Sequence, residues 1–196
     1  MPEVETVRDL RRGQILRVAK SLVAEKGLTA LTFAALEKRL HFSRGVITYH
    51  FRNKEELVDA LLESAIEEID GAIFNAVAAQ GSIEEKFKAV MRTTVTGFLA
   101  HREAALILFS FWGQISSNDH LAKLNARLYQ NYRMHSETLL KAGVEKGRFQ
   151  TSKYKEIAAL MVGIIIGIVT QVYFEPEAID PEATIEEASR MLLTHL

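Results

Sequence analysis

Residues 42–57 read FSRGVITYHFRNKEEL. Arg44, His50, Arg52 and Lys54, which carry or can carry positive charge, stand here among Val46, Ile47, Tyr49 and Phe51. Such a stretch is either a surface that holds nucleic acid or a helix end decorated with charge, and its neighbours decide which. Ser43 can cap a short helix ending near Phe51, and Asn53 with Glu56 has the spacing of a capping box that opens the next helix. Upstream, Thr32 can cap a helix with Ala35, Leu36 and Leu40 on its inner face. Only His41 and Phe42 separate the two short helices. That is the spacing of a helix-turn-helix.

The motif makes a physical demand. Its second helix must be slim and polar outward to enter a major groove about 12 Å wide, while its inner side packs on the helices before it. Val46 and Ile47 are expected to supply the apolar flank, with Phe51 closing the end. Arg44, Gly45, Thr48 and Tyr49 remain for the outward face. Arg44 suits guanine or phosphate, Gly45 allows close backbone approach, and Thr48 suits a thymine methyl or a phosphate. Tyr49, His50 and Lys54 suit phosphate, and Lys54 begins a helix whose free N–H groups favour an anion. The expected DNA-facing set is Thr32, Ser43, Arg44, Gly45, Thr48, Tyr49, His50 and Lys54.

Charge along the chain supports that reading. Residues 1–54 hold eleven Lys and Arg against five Asp and Glu, whereas residues 55–196 hold thirteen against twenty, so a net charge of −1 hides a division. A basic first quarter points to a polyanionic partner for that end alone. The 196 residues contain no cysteine, which excludes disulfides and thiolate metal sites and fits a reducing compartment. The opening MPEVETVRDLRRGQ lacks an apolar core, so no signal peptide is expected. The run IAALMVGIIIGIV, at 157–169, is shorter than the roughly 20 residues of a membrane span and reads as a buried helix.

The rest of the chain also reads as helix, and the class is all-α. The first helix, about 9–26, carries Ile15, Ala19, Leu22 and Val23 at helical spacing, and Gly27 stands where a left-handed residue ends it. The helix opened by Asn53 runs to about Ala79. Ser82 and Glu85 make a second capping box for a helix to about His101, followed by one from Glu103 to Gln114. The turn SSND at 116–119 caps a long helix that Gly147 stops. A hydrophobic helix spans about 153–174, and Asp180-Pro181 supplies cap and first residue of the last one. The expected division is 1–54, a three-helix DNA-binding domain, and 55–196, a helical domain joined to it by the long fourth helix.

The span from Gln14 to Leu57 resembles the DNA-binding domain of TetR-family transcriptional regulators. The likeness rests on ILRVAKSLVAEKG, LTALTFAALEKRL and SRGVITYHFRNKEEL, with Tyr49-His50-Phe51 and Lys54-Glu55-Glu56-Leu57 in the family's places. Two positions depart from the pattern: Thr48 replaces an aromatic ring, and His41 stands where the turn usually holds glycine. A left-handed backbone at His41 carries a modest cost.

The resemblance implies a dimer on a palindromic operator, a C-terminal pocket for a small apolar or amphipathic effector, and repression relieved by that effector. The segment LFSFWGQISSNDHLAKLNARLYQNYR loosely resembles the effector domain of the family's choline-responsive branch. Phe109, Trp112, Gln114 and Tyr132 are the expected pocket residues, and Trp112 with Tyr129 or Tyr132 has the makings of a cation cage. Gly163 and Gly167 form a GxxxG that permits close helix approach, at a subunit contact or around a ligand.

His101, Asp119, His120 and His135 match no compact ligand spacing, so no metal is expected, nor any other cofactor. No catalytic residue is expected either, since the chain has no Gly-rich phosphate loop, G-x-S-x-G or H-E-x-x-H. The expected location is the cytoplasm, with no membrane partner. Two rival readings are an architectural DNA-binding dimer without an effector, and a helical small-molecule carrier or enzyme with a basic N-terminal bundle.

Overall fold

The computed structural model describes residues 6–78, 81–113 and 115–196. Its helices are α1 (Val7–Lys26), α2 (Phe33–Leu40), α3 (Arg44–His50), α4 (Lys54–Ala78), α5 (Ile83–Ala100), α6 (Arg102–Trp112), α7 (Asp119–Glu145), α8 (Tyr154–Phe174) and α9 (Pro181–Thr194). Single 3₁₀ turns cover Leu28–Ala30 and Ile115–Ser117, and no strand occurs among the described residues. The expected end of α4 at Ala79, and Gln114, lie outside the described residues.

Local chemistry sets most of these boundaries. Thr32 accepts from the Ala35 amide at 3.1 Å, and Ser82 and Glu85 exchange the two bonds of a full capping box. Asp180 accepts from the Glu182 and Ala183 amides, with Pro181 as first helical residue. At the head of α4 the box is only half of what the sequence suggests. Asn53 Oδ1 accepts from the Glu56 amide at 2.8 Å, but the Glu56 carboxylate reaches back to the Arg52 amide and guanidinium instead of to Asn53. The Arg52 side chain redirects it, because a charge-assisted partner lies within the same reach. Ser43 flanks α3 without a side-chain cap bond.

Two helix ends use unusual backbone. Gly27 closes α1 at φ 77 and ψ 169, outside the left-handed helical well and open in practice only to glycine. His41 closes α2 at φ 54 and ψ 31, a left-handed conformation that histidine adopts more readily than a branched residue.

The chain forms two compact units. One comprises residues 1–67 and 102–121, the other 68–101 and 122–196. This differs from a boundary at 54/55 for a reason that charge distribution does not carry. The opening turns of α4 bury Leu57, Leu61 and Ala65, and α6 packs on α1 with Ala104, Ala105, Ile107, Leu108 and Phe111 buried. The core of this first unit is completed by Ile15, Ala19, Leu22, Leu36, Ile47 and Phe51.

In the second unit α5 packs on α8 and α9, and Phe87, Met91, Leu140, Met161, Ile165 and Ile168 are buried. Phe149 folds back onto α7. A Cβ at Gly143 would lie 2.0 Å from its ring, which also stands edge-on to Phe87 with centroids 6.3 Å apart. α8, at 21 residues, is long and apolar enough to cross a bilayer, yet one face is committed to protein: Ala158, Met161, Val162, Ile165, Ile168 and Val169 are buried. It is not buried all round, as its sequence suggests. Leu160 and Phe174 are 55% and 75% exposed, and space beside Gly163 and Gly167 is open. An apolar composition demands a cover without saying which molecule provides it.

Candidate DNA-binding surface and ligand cavity

α3 has seven residues and is anchored through few of them. Ile47 and, just beyond the helix, Phe51 are fully buried. Burying each is worth about 1.5–3 kcal/mol, enough to fix the orientation of so short a helix. Val46 does not join them; it is 38% exposed. Consecutive helical residues point about 100° apart, so only one of two neighbours faces the core on a helix this narrow. The outward face therefore presents Ser43, Arg44, Gly45, Val46 and Tyr49, with Thr48 half-buried and Lys54 exposed just beyond.

Each of the expected DNA-facing residues has a definite place in the first unit. Thr32 is exposed and occupied as the cap of α2. Thr48 turns its hydroxyl back to donate to the Arg44 and Gly45 carbonyls at 3.0 and 3.3 Å, leaving its methyl group as the free part. A side chain at Gly45 would meet nothing nearer than Ser43 Oγ at 3.9 Å, so the surface there is low. Tyr49 is 68% exposed.

His50 is the exception to a uniformly solvated set. Its Nδ1 is buried without a hydrogen-bond partner. Burial first, and then the charges of Arg8 and Arg12, push its pKa below the ordinary 6.5. It is a neutral ring at neutral pH and not one of the surface cations.

Three arginines of α1, which the helix-turn-helix pattern does not mark, border this face. Arg8 lies over the Tyr49 ring at 5.6 Å, Arg11 over Phe42 at 4.9 Å and Arg12 over Phe51 at 5.0 Å. Arg44 lies over Phe33 at 6.0 Å. Guanidinium stacked on a ring keeps its N–H edge free for phosphate. The signal available in sequence was RDLRR at 8–12, whose members recur on one side of a helix turn. A slender polar helix ringed by arginine is the geometry of a helix-turn-helix DNA-binding protein.

The second unit contains a cavity of about 640 Å³, in the range that holds a drug-sized ligand. Its wall is mostly apolar, with Phe74 from α4, Val90 and Phe98 from α5, Leu139 from α7, and Ile165 and Ile166 from α8. Tyr132 is the expected pocket residue that lines it. Phe109 and Trp112 belong to the other unit, where their rings pack with centroids 5.0 Å apart on α6. The sequence reading did not mark Asp70, Lys86 or Lys146, which also reach the cavity, and it weighed His135, another wall residue, only for metal. Tyr132 Oη is buried without a partner, and burial followed by the nearby Asp70 pushes its pKa up. Burial also raises the Asp70 carboxyl, against a smaller opposing effect of His135.

Two of the four residues weighed for metal have carboxylate partners of their own. His120 pairs with Asp59 at 2.6 Å and His101 with Glu68 at 3.6 Å. Among the described residues no three such side chains converge.

Residues 15–61 match the family model described as bacterial regulatory proteins, TetR family, and residues 69–196 match the BetI-type transcriptional repressor C-terminal model. The chain belongs to the TetR family, with a BetI-type C-terminal region, and is a transcriptional regulator, not an enzyme. It is 26% identical over 148 residues to the HTH-type transcriptional repressor KstR2 of Rhodococcus jostii, covering 76% of this chain and 72% of that protein. It is 24% identical over 166 residues to the regulator BetI of Escherichia coli O157:H7, covering 81% and 82%.

Two solved structures share the fold. A transcriptional regulator from Saccharomonospora viridis in complex with choline superposes at a TM-score of 0.78 and 17% identity, covering 94% of this chain and 95% of that one. The fatty acid degradation regulator FadR from Bacillus halodurans gives 0.79 and 22%, covering 95% and 96%.

Proposed function

We propose that this regulator is a homodimeric, cytoplasmic repressor that binds a palindromic operator and releases it when a small apolar or amphipathic molecule enters the C-terminal cavity. In this reading residues 1–54 hold DNA, and residues 55–196 bind effector and dimerise. The observation that carries it is the outward face of α3, which spends only Ile47 on the core and leaves Arg44, Gly45, Val46 and Tyr49 to solvent beside Lys54. Arg44 and Val46 suit base edges. Tyr49, Lys54, Arg8 and Arg11 suit phosphate.

The stripe of exposed Leu160, Gly163 and Phe174 on α8, with half-buried Gly167 between them, supports a symmetric contact between copies, since bare glycines let two helices approach. Two recognition helices about 34 Å apart would then read successive turns of one duplex.

α4 supports the switch. It starts at Lys54 and carries Asp70 and Phe74 in the cavity wall. An effector shifts operator affinity only if it prefers one arrangement of α4 over another, and operator DNA must then weaken effector binding by the same factor. The cavity favours this over an architectural dimer with a closed core.

The test is binding to the DNA upstream of the chain's own gene across a salt series. Affinity is expected to fall with salt, and Arg44→Ala with Lys54→Ala to weaken binding and flatten the log–log slope by at least about one. Salt-independent binding, or an unchanged double variant, refutes the reading.

A further inference from the structure

The cavity has two chemically different ends, and their separation follows from the helices that build it. The Arg148 guanidinium pairs with Glu84 at 2.6 Å, and the Phe149 ring sits between Gly143 and Phe87. These contacts pin the C-terminal end of α7 to the first turns of α5, so the two helices run antiparallel along the cavity. Lys86 and Lys146, both in its wall, therefore share one end.

Tyr132 on α7 and Phe98 on α5 share the other end, where Asp70 and His135 stand close enough to interact with the ring hydroxyl and with each other. From residue 132 to the end of α7, just before Lys146, and from 86 to 98 on α5, a rise of 1.5 Å per residue gives a span of about 18–20 Å.

Between the ends the lining is Val90, Leu139, Ala142, Val162 and Ile166. The hydroxyls of Thr94 and Thr138 are turned away to their own helix carbonyls, Val90 and Met134, at 2.6 and 2.9 Å. Their donors are thereby spent, and Ser136, 6% exposed, adds one further hydroxyl to this otherwise apolar middle. Half-buried Lys86 and exposed Lys146 place two positive charges at the mouth of an apolar channel, which attracts an anion there, and a buried phenol without a partner can donate one neutral hydrogen bond.

We infer that the effector is an elongated amphiphilic anion, whose acidic group lies against Lys86 and Lys146 and whose apolar body fills the channel toward Tyr132 and Asp70. This rests on the effector reading above and narrows it to one charge class. A compact quaternary ammonium fits poorly: the net charge of the lining is positive, and Lys86 and Lys146 outnumber Asp70. The Tyr132 end favours bodies that finish in a hydroxyl or carbonyl oxygen, which that phenol can reach as donor.

Calorimetric titration of the intact chain, below micelle-forming concentrations, tests this with three probes of one length: tetradecanoate, tetradecanol and tetradecyltrimethylammonium. Tetradecanoate is expected to bind most tightly. Lys86→Met with Lys146→Met, which keeps the apolar stems, is expected to weaken it tenfold or more while changing tetradecanol by less than twofold.

Preference for the ammonium probe that is lost in Asp70→Asn overturns the inference, as does tetradecanoate binding indifferent to both lysines, or no binding by any probe. Operator affinity measured on the same samples separates the two readings. Tetradecanoate binding without an effect on DNA removes the switch and leaves this site assignment standing. DNA binding that responds only to the ammonium probe does the reverse.

Discussion

His50 lies at the last position of α3, edge-on to Tyr49 with ring centroids 5.1 Å apart, and its Nδ1 is enclosed without a partner. Burial and the neighbouring Arg8 and Arg12 both oppose its protonation in the folded chain, with Asp9 acting weakly the other way. The unfolded chain therefore takes up this proton first. The contribution of His50 to stability is complete above its ordinary pKa of 6.5 and is lost as pH falls through the lower folded value. Urea unfolding between about pH 7 and pH 5 should show stability declining with acidification, and His50→Gln should flatten that decline. A ring-proton NMR titration should place His50 below 6.5.

At the same scale, Arg8 does two jobs if the surface holds DNA: it stacks on Tyr49 and offers a cation to phosphate. Arg8→Ala is expected to lower operator affinity about equally for all sequences and to reduce the salt slope by about one, measured by fluorescence anisotropy. The sequence shows that Arg8, Arg11 and Arg12 share one side of a helix, but not that this side meets α3. Arg8 is far from α3 along the chain, and the enclosure of His50 depends on α1 lying across it.

The elements themselves were far more legible. Capping residues and glycine stops act within four or five residues, so Thr32, Ser82 and Asp180 mark helix starts in sequence as they do in space. Gly147, at φ 67, ends α7 for the same local reason. Gly143 is different, because its need for glycine comes from a residue six positions on that folds back over it. Gly143→Ala would force the Phe149 ring, itself only 4% exposed, against Phe87. Overpacking of this kind costs about 1–3 kcal/mol. Thermal unfolding should show a Tm several degrees lower, with partial recovery in Gly143→Ala combined with Phe149→Leu.

For the whole molecule, the decisive feature is the apolar face that α8 does not bury. Leu160→Lys places a charge on that face and touches none of the buried positions of the helix. In the dimeric reading it should convert the protein to a monomer by light scattering while leaving helical content and unfolding of the single chain nearly unchanged. Affinity for a full palindrome should then fall toward that for a half-site. A variant that stays dimeric moves the subunit contact elsewhere.

What the sequence determined was everything set by short-range physics: an all-helical chain, its caps and stops, a helix-turn-helix at 33–50 and the cationic character of that end. Tertiary structure decided which side of each helix counts. Val46 and Ile47 are neighbours with the same chemistry, and only packing against α1 and α2 could separate the exposed one from the buried one. Phe109 and Trp112 had the right composition for a pocket but lie on α6, which joins the N-terminal unit. The cavity instead gathers Asp70 from α4, Lys86 from α5, and Tyr132 and Lys146 from α7 and the turn after it. Periodicity records where a side chain points on its own helix. It holds no information about which other helix stands opposite, and an enclosed site is made of those oppositions.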